Sequence, residues 1–286
     1  MMVIDKLTTV GRTIDLRYAT NRAIAIVTGV LFVGGTVFQL YAATGWFQSI
    51  VWGVNAGLTV FLTWALCREL DPDHAMSAFV AVGLALLGLL CWGLPLLSVA
   101  FWLILVARVV NRSTGMPAGI LDALAVAGLG IWLSLDGNWA YGAISVLALF
   151  LTSQLPEGAG RRLTEGAGEG QLVLAGLAAA ATAAAAAVAP RPAEGVTLTA
   201  SGALIGLAAS ILFLPVILSA RHVESLGDRS GAPLWPRRVQ AAQVLALGAG
   251  LAAALVGGID AVGALAPLWS AILGASAHWL YRWAKG

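Results

Sequence analysis

Charge is what this sequence has least of. Only 10% of its 286 residues are Asp, Glu, Lys or Arg, where soluble domains carry about 25%. Nucleic-acid binding is excluded on that ground. Binders of that kind display basic patches interleaved with aromatics, and here the 16 Lys and Arg are scattered between apolar runs. No run holds a buried Lys or a row of charges, so a proton relay or voltage sensor lacks its parts. Cysteine is nearly absent too. Cys67 and Cys91 stand near opposite ends of different runs. They read as two small buried thiols, with no bridge and no metal framework.

What is there is apolar. The chain is 59% hydrophobic with a mean hydropathy of +0.88. A bilayer core of about 30 Å takes about 20 apolar residues per helix. Runs at 23–44, 46–66, 76–92, 94–110, 118–135, 139–154, 171–189, 196–220, 238–257 and 260–283 predict ten spans. Nine is the alternative, with 76–110 forming one segment bent around Pro95. If the N-terminus is inside, every basic residue except Arg191 falls on an inner segment, as the Lys/Arg bias of cytoplasmic loops requires. The expected fold is therefore all-α: a polytopic transmembrane helix bundle with both termini cytoplasmic, integral to the inner membrane. Residues 1–21 are expected to form an amphipathic interfacial segment, with Val3, Leu7, Val10 and Ile14 on one helical face. Residues 22–286 are expected to form a single transmembrane domain.

Tryptophans agree with this layout. Trp46, Trp92 and Trp139 fall at outer ends, and Trp64, Trp235, Trp279 and Trp283 at inner ends, as an interfacial belt does. Trp102 and Trp269 lie deeper and read as packing or lipid-facing rings. The seventh run has little bulk, and the eighth carries Gly202-Ala203-Leu204-Ile205-Gly206. Small residues let helices approach closely, so runs seven to nine are expected to pack together.

One inner loop collects charge. CRELDPDHAMSAF, residues 67–79, holds Arg68, Glu69, Asp71, Asp73 and His74. Two readings stay open. In the first, Asp71 before Pro72 is an N-cap with Pro at the first helical position, and Asp73 favours the positive helix end. In the second, Glu69, Asp71 and Asp73 hold Mg²⁺ with waters and a substrate phosphate, and His74 donates to that phosphate. With one imidazole the loop is a weak transition-metal site. Arg108 and Arg112 lie on the same side, where they could clamp a diphosphate. Asp122 lies about one turn inside the fifth run and joins them as a substrate-binding candidate.

Three stretches carry a family resemblance: Arg68-Glu69-Leu70-Asp71, the run LVARVVNRSTGMPAGILDALAVAG at 105–128, and Glu224-Ser225-Leu226-Gly227-Asp228-Arg229-Ser230-Gly231. With the helical layout they resemble the UbiA-type intramembrane prenyltransferases. Those proteins bind Mg²⁺ and an isoprenyl diphosphate on acidic cytoplasmic loops after the second and sixth helices. The resemblance implies a Mg-dependent intramembrane prenyl or lipid transferase working on a membrane lipid at the cytoplasmic face. The chain departs from the family pattern in having Thr63, Trp64 and Cys67 where the first motif has an Asn-Asp pair and a further Asp. The loop after run six offers Glu157, Glu165 and Glu169 but no Asp pair.

Other functions share the same outline. A ten-helix small-molecule transporter of the drug/metabolite type has two inverted five-helix halves. They would meet at Asp136-Gly137-Asn138-Trp139, with Pro95, Pro215 and Pro267 breaking helices near a midplane site. An accessory subunit of a membrane complex is a third reading. The position of the polar cavity discriminates the first two: near the inner surface for a lipid-handling protein, at the midplane for a transporter. A Ser201/His278 pair, similar to that of rhomboid proteases, is ruled out by depth, since at 1.5 Å per residue the two differ by about 25 Å. That leaves His278 as an interfacial residue beside Trp279.

Overall fold

The computed structural model describes residues 8–11, 14–42, 45–135, 138–155, 167–188 and 199–286. Ten α-helices run through them: α1 (Ala19–Tyr41), α2 (Trp46–Leu70), α3 (Ala75–Trp92), α4 (Leu97–Asn111), α5 (Ile120–Ser134), α6 (Ala140–Gln154), α7 (Ala167–Val188), α8 (Ala200–Ser219), α9 (Pro236–Ala264) and α10 (Ala266–Lys285). Each overlaps one of the ten apolar runs. Strand pairing among the described residues is confined to a single bridge, Leu226 with Pro233. Residues 76–110 form two helices. Gly93 closes α3 at φ +78°, a conformation open to glycine at no steric cost, and Pro95 follows in the turn.

Helices α1, α2, α3, α8 and α9 are long and apolar enough to cross a membrane, while α4, α5, α6 and Leu172–Ala184 of α7 are shorter apolar helices. Ile26, Val30, Val33, Val37 and Phe38 of α1 are all more than half exposed. Water does not tolerate a continuous face of that kind on a soluble monomer; hydrocarbon does. The chain is a helical membrane bundle.

Close approach of small residues sets the packing. α1 lies along α2, where a Cβ at Gly53 would overlap the Thr36 hydroxyl and the Phe32 carbonyl. Gly57, one turn on, faces the Thr28 carbonyl. The Gly202/Gly206 pair of α8 meets α9: a Cβ at Gly202 would overlap the Ala254 carbonyl, and one at Gly206 would stand 2.6 Å from Leu251 Cδ2. The seventh run departs from expectation. α7 packs against α5 and α6, and only α8 joins α9.

The break between the runs 238–257 and 260–283 is a kink and not a turn between helices. Gly258 has φ +61° and ψ −143°, and α9 continues to Ala264. Such a kink removes the intrahelical donors of nearby carbonyls. Thr199 supplies replacements. Its N–H donates to the Leu255 carbonyl (2.9 Å) and its hydroxyl to that of Ala254 (3.1 Å). Pro267 breaks nothing, because it sits in the first turn of α10, where its missing N–H costs no bond.

Two smaller expectations are corrected and one is narrowed. Residues 8–11 are not helical. Val10 is packed into the main core while Ile14 is exposed, so the leader is part of the bundle where it is described. Of the two readings of Trp102, packing holds: it is fully buried, donates to Ser145 Oγ (2.9 Å) and meets Tyr141 edge-on. Both cysteines are free, as expected, but only Cys67 is buried; Cys91 is exposed.

Candidate functional site

Helices α2, α4 and α6 all end at the same end of the bundle, the one that carries Arg68, Arg108 and Arg112. The last carbonyls of any helix lack intrahelical donors, and these helices end inside protein. Polar side chains complete them. Asn111 Nδ2 donates to the Glu69 carbonyl and Gln243 Nε2 to that of Leu70, both at 2.7 Å. Arg238, 2% exposed, donates to the carbonyls of Val110 (3.1 Å), Thr152 (3.3 Å) and Leu155. Arg112 Nη2 adds a contact to Thr152 O at 3.4 Å. A cation at helix C-termini also meets the negative end of each dipole. Arg238 opens the ninth apolar run, where it counts only as one more basic residue on the inner side. The available signal was its register: Arg238, Ala242, Leu245 and Ala249 form one buried face of α9.

The candidate residues of the 67–74 loop go separate ways. Glu69 is still helical and buried, and its Oε1 accepts from Arg108 Nε (2.9 Å). Asp71 follows the last residue of α2 at φ −134°, and its Oδ1 lies 2.7 Å from His74 Nδ1. Asp73 accepts from Ser225 N–H (2.8 Å) and hydroxyl (2.6 Å) and from Glu224 N–H (3.2 Å). The helix ends between the first and second carboxylates, and the three are engaged by different partners: Arg108, His74 and the Glu224-Ser225 backbone. Asp71 does not cap α3: the N-cap is His74, and α3 starts at Ala75.

Asp122 is occupied as an anchor. Its carboxylate accepts from the Thr8 hydroxyl, from Thr9 N–H (2.9 Å) and hydroxyl (2.7 Å), and from Gly119 N–H (2.9 Å). It therefore holds the leader against the start of α5. Arg112 takes φ +52°, the only positive value at a non-glycine among the described residues, which lets the chain leave α4 sharply.

The three stretches behind the family resemblance converge. Residues 225–234 fold back on themselves, with Gly227 N–H to Ala232 O (2.8 Å) and Leu234 N–H to Ser225 O (2.9 Å). This loop docks on the α4–α5 connection: Asp228 N–H donates to Ser113 O (3.2 Å) and Arg229 N–H to Thr114 O (3.1 Å). Gly115, at φ +77°, permits the contact, since a Cβ there would overlap Ser230.

Between this loop, the leader, α2 and α4 lies a cavity of about 720 Å³. Its lining combines the charged residues Arg68, Arg108, Arg229, Asp15 and Asp228 with the apolar Phe61, Trp64, Phe101 and Ile104. The Trp64 indole N–H and the Thr114 hydroxyl are buried and find no hydrogen-bond partner among the described residues. Of the residues expected to bind metal or substrate, Arg108 lines this cavity; His74, Arg112, Asp122, Glu69, Asp71 and Asp73 do not. Glu157, Glu165, the side chain of Glu169, and Asp136-Gly137 lie outside the described residues. No protein-family model, curated protein or solved structure matches the chain.

Proposed function

We propose that this protein binds an amphipathic lipid with a phosphate-bearing head, of isoprenoid type, in the cavity at its arginine-bearing end. In this reading all ten helices cross the inner membrane and that end is cytoplasmic, in keeping with the basic residues gathered there. The observation that carries the proposal is the composition of the cavity wall. Three arginines line it together with aromatic and aliphatic residues. Guanidinium forks match phosphate oxygens in charge and geometry, and the apolar lining suits a hydrocarbon tail. The volume falls in the range of small-ligand pockets, about 300–1,000 Å³. Trp64 and Thr114 offer further donors. Mg²⁺ would arrive with a diphosphate head, and Asp15 and Asp228 are the carboxylates placed to meet it. Prenyl or lipid transfer is the chemistry that the family resemblance attaches to such a pocket.

Two observations favour this reading over a transporter. The cavity lies at one end of the bundle. Helix contacts also repeat only in part between halves: α1 with α2 has its counterpart in α6 with α7, but α2 packs on α3 and α4 as well, whereas α7 packs on α5 and α6.

The test is a thermal-melt series on detergent-purified protein with geranylgeranyl diphosphate, with inorganic pyrophosphate, and with each plus Mg²⁺. A ligand at 100 times its Kd stabilises by about 2.7 kcal/mol. The lipid diphosphate is expected to raise the melting point, pyrophosphate less so, and Arg68→Gln/Arg229→Gln to weaken the effect at least tenfold. An identical shift in wild type and variant, or no shift at all, removes the proposal.

A further inference from the structure

The chain has three histidines. Two of them, 204 positions apart, meet: the rings of His74 and His278 have centroids 5.2 Å apart. Asp71 completes the group, and one donor atom from each of the three residues lies within 4.8 Å of the others. From sequence His278 was expected beside Trp279 at the interface, and the loop at 67–74 had a single imidazole. The fold brings the second imidazole to it.

We infer that Asp71, His74 and His278 form a transition-metal site, of the kind that takes Zn²⁺, between the α2–α3 loop and α10. The donor set is the first argument. Two imidazoles and a carboxylate suit Zn²⁺, Co²⁺ or Ni²⁺ over the all-oxygen shells of Mg²⁺, and three protein ligands leave a fourth position for water. The second argument is an unused donor: His278 Nδ1 is shielded from solvent and has no hydrogen-bond partner among the described residues. The third is support. Asp71 N–H donates to the Cys67 carbonyl (2.8 Å), the Ser77 hydroxyl donates to the His74 carbonyl (2.6 Å), and Arg68 Nη1 donates to the Pro72 carbonyl (2.8 Å). On the other side Gly274, one turn before His278, meets α3 at Ala81, where a Cβ would stand 2.6 Å from the Ala81 Cβ. That close approach fixes the height of His278 against His74. Zinc–ligand bonds of about 2.0–2.1 Å place tetrahedral donors roughly 3.4 Å apart, so modest side-chain rotation closes the site. None of the three residues lines the cavity, so this inference stands apart from the proposed function.

The experiment uses full-length protein purified through a tag without histidine, stripped with a chelator and titrated with Zn²⁺. Co²⁺ in a parallel titration reports tetrahedral geometry by its visible absorption. Wild type is expected to bind one metal per chain, and His222→Ala, which alters the remaining histidine, to bind like wild type. His278→Ala is expected to bind at least tenfold more weakly and to lose the cobalt absorption. Asp71→Asn and His74→Gln give the same readout if His278→Ala does not fold. No binding at millimolar Zn²⁺, or one metal per chain that survives these substitutions, overturns the inference.

Discussion

The two ends of the bundle are closed by different chemistry. At the arginine-bearing end, side chains finish the helices: Arg238 serves α4 and the α6 terminus, Asn111 and Gln243 serve α2, and Asp122 ties down the leader. At the other end, backbone also meets backbone, with small polar side chains such as Thr199 and Ser134 assisting. Leu96 N–H donates to the Ala264 carbonyl (2.8 Å) and Thr199 N–H to that of Leu255 (2.9 Å), across contacts that only small residues allow. A chain this poor in polar residues does not distribute them evenly. It places them where helix ends are buried, and elsewhere it brings backbones close enough to satisfy one another.

The largest test of that contrast is Arg238→Met. It strips a donor from the carbonyls of Val110, Thr152 and Leu155. Each buried group left unsatisfied costs about 1–3 kcal/mol, so a loss of about 3–5 kcal/mol is expected in reversible denaturation from mixed micelles. A loss below about 1 kcal/mol, well within ordinary point-mutant effects, would show that these carbonyls are served another way. The matching test at the other end is Gly202→Val, which forces a side chain into the Ala254 carbonyl. Overpacking costs typically about 1–3 kcal/mol. Gly128→Val is its control, because nothing stands within 4 Å of a Cβ there, and equal effects at both glycines would remove the close-packing account. The smallest effect is expected from Asp122→Asn. The amide keeps one acceptor and loses the charge that faces Thr8 and Thr9, for about 1 kcal/mol. The leader should then be cut by trypsin at Arg17 faster than in wild type, and unchanged cutting would mean that the anchor lies elsewhere.

Much of the architecture was legible in the sequence. Where a run of apolar residues ends, a helix ends within a few positions, because backbone in hydrocarbon must satisfy itself internally; the exception is the run ending at 257, past which α9 continues to Ala264. Partner choice was not legible. Periodicity separates an apolar face from a polar one, and α7 is apolar all round, so nothing in its residues says that α5 and α6 are its neighbours. Gly202/Gly206 was a usable signal, and Gly53/Gly57 has the same spacing. The site was legible only in part. Arg108 and the basic stretch around it were found, but the 67–74 loop was treated as one cluster, when a helix end inside it turns Glu69, Asp71 and Asp73 to three partners. Arg229 joins the cavity and His278 joins Asp71 and His74 from far along the chain, and no local spacing announces such meetings.

Arg238 also bears on the order in which the molecule is made. A ribosome delivers α2, α4 and α6 long before it delivers residues 238 and 243. Until then, the carbonyls of Leu70, Val110 and Leu155 at the ends of three early helices lack the donors that residues 238 and 243 bring. A chain that stops short of Pro236 is therefore recognisable as unfinished at a point far from its own end, by the exposed carbonyls of helices that are themselves complete. Early termination would be read out in the first half of the protein, and the start of α9 acts as the last part fitted.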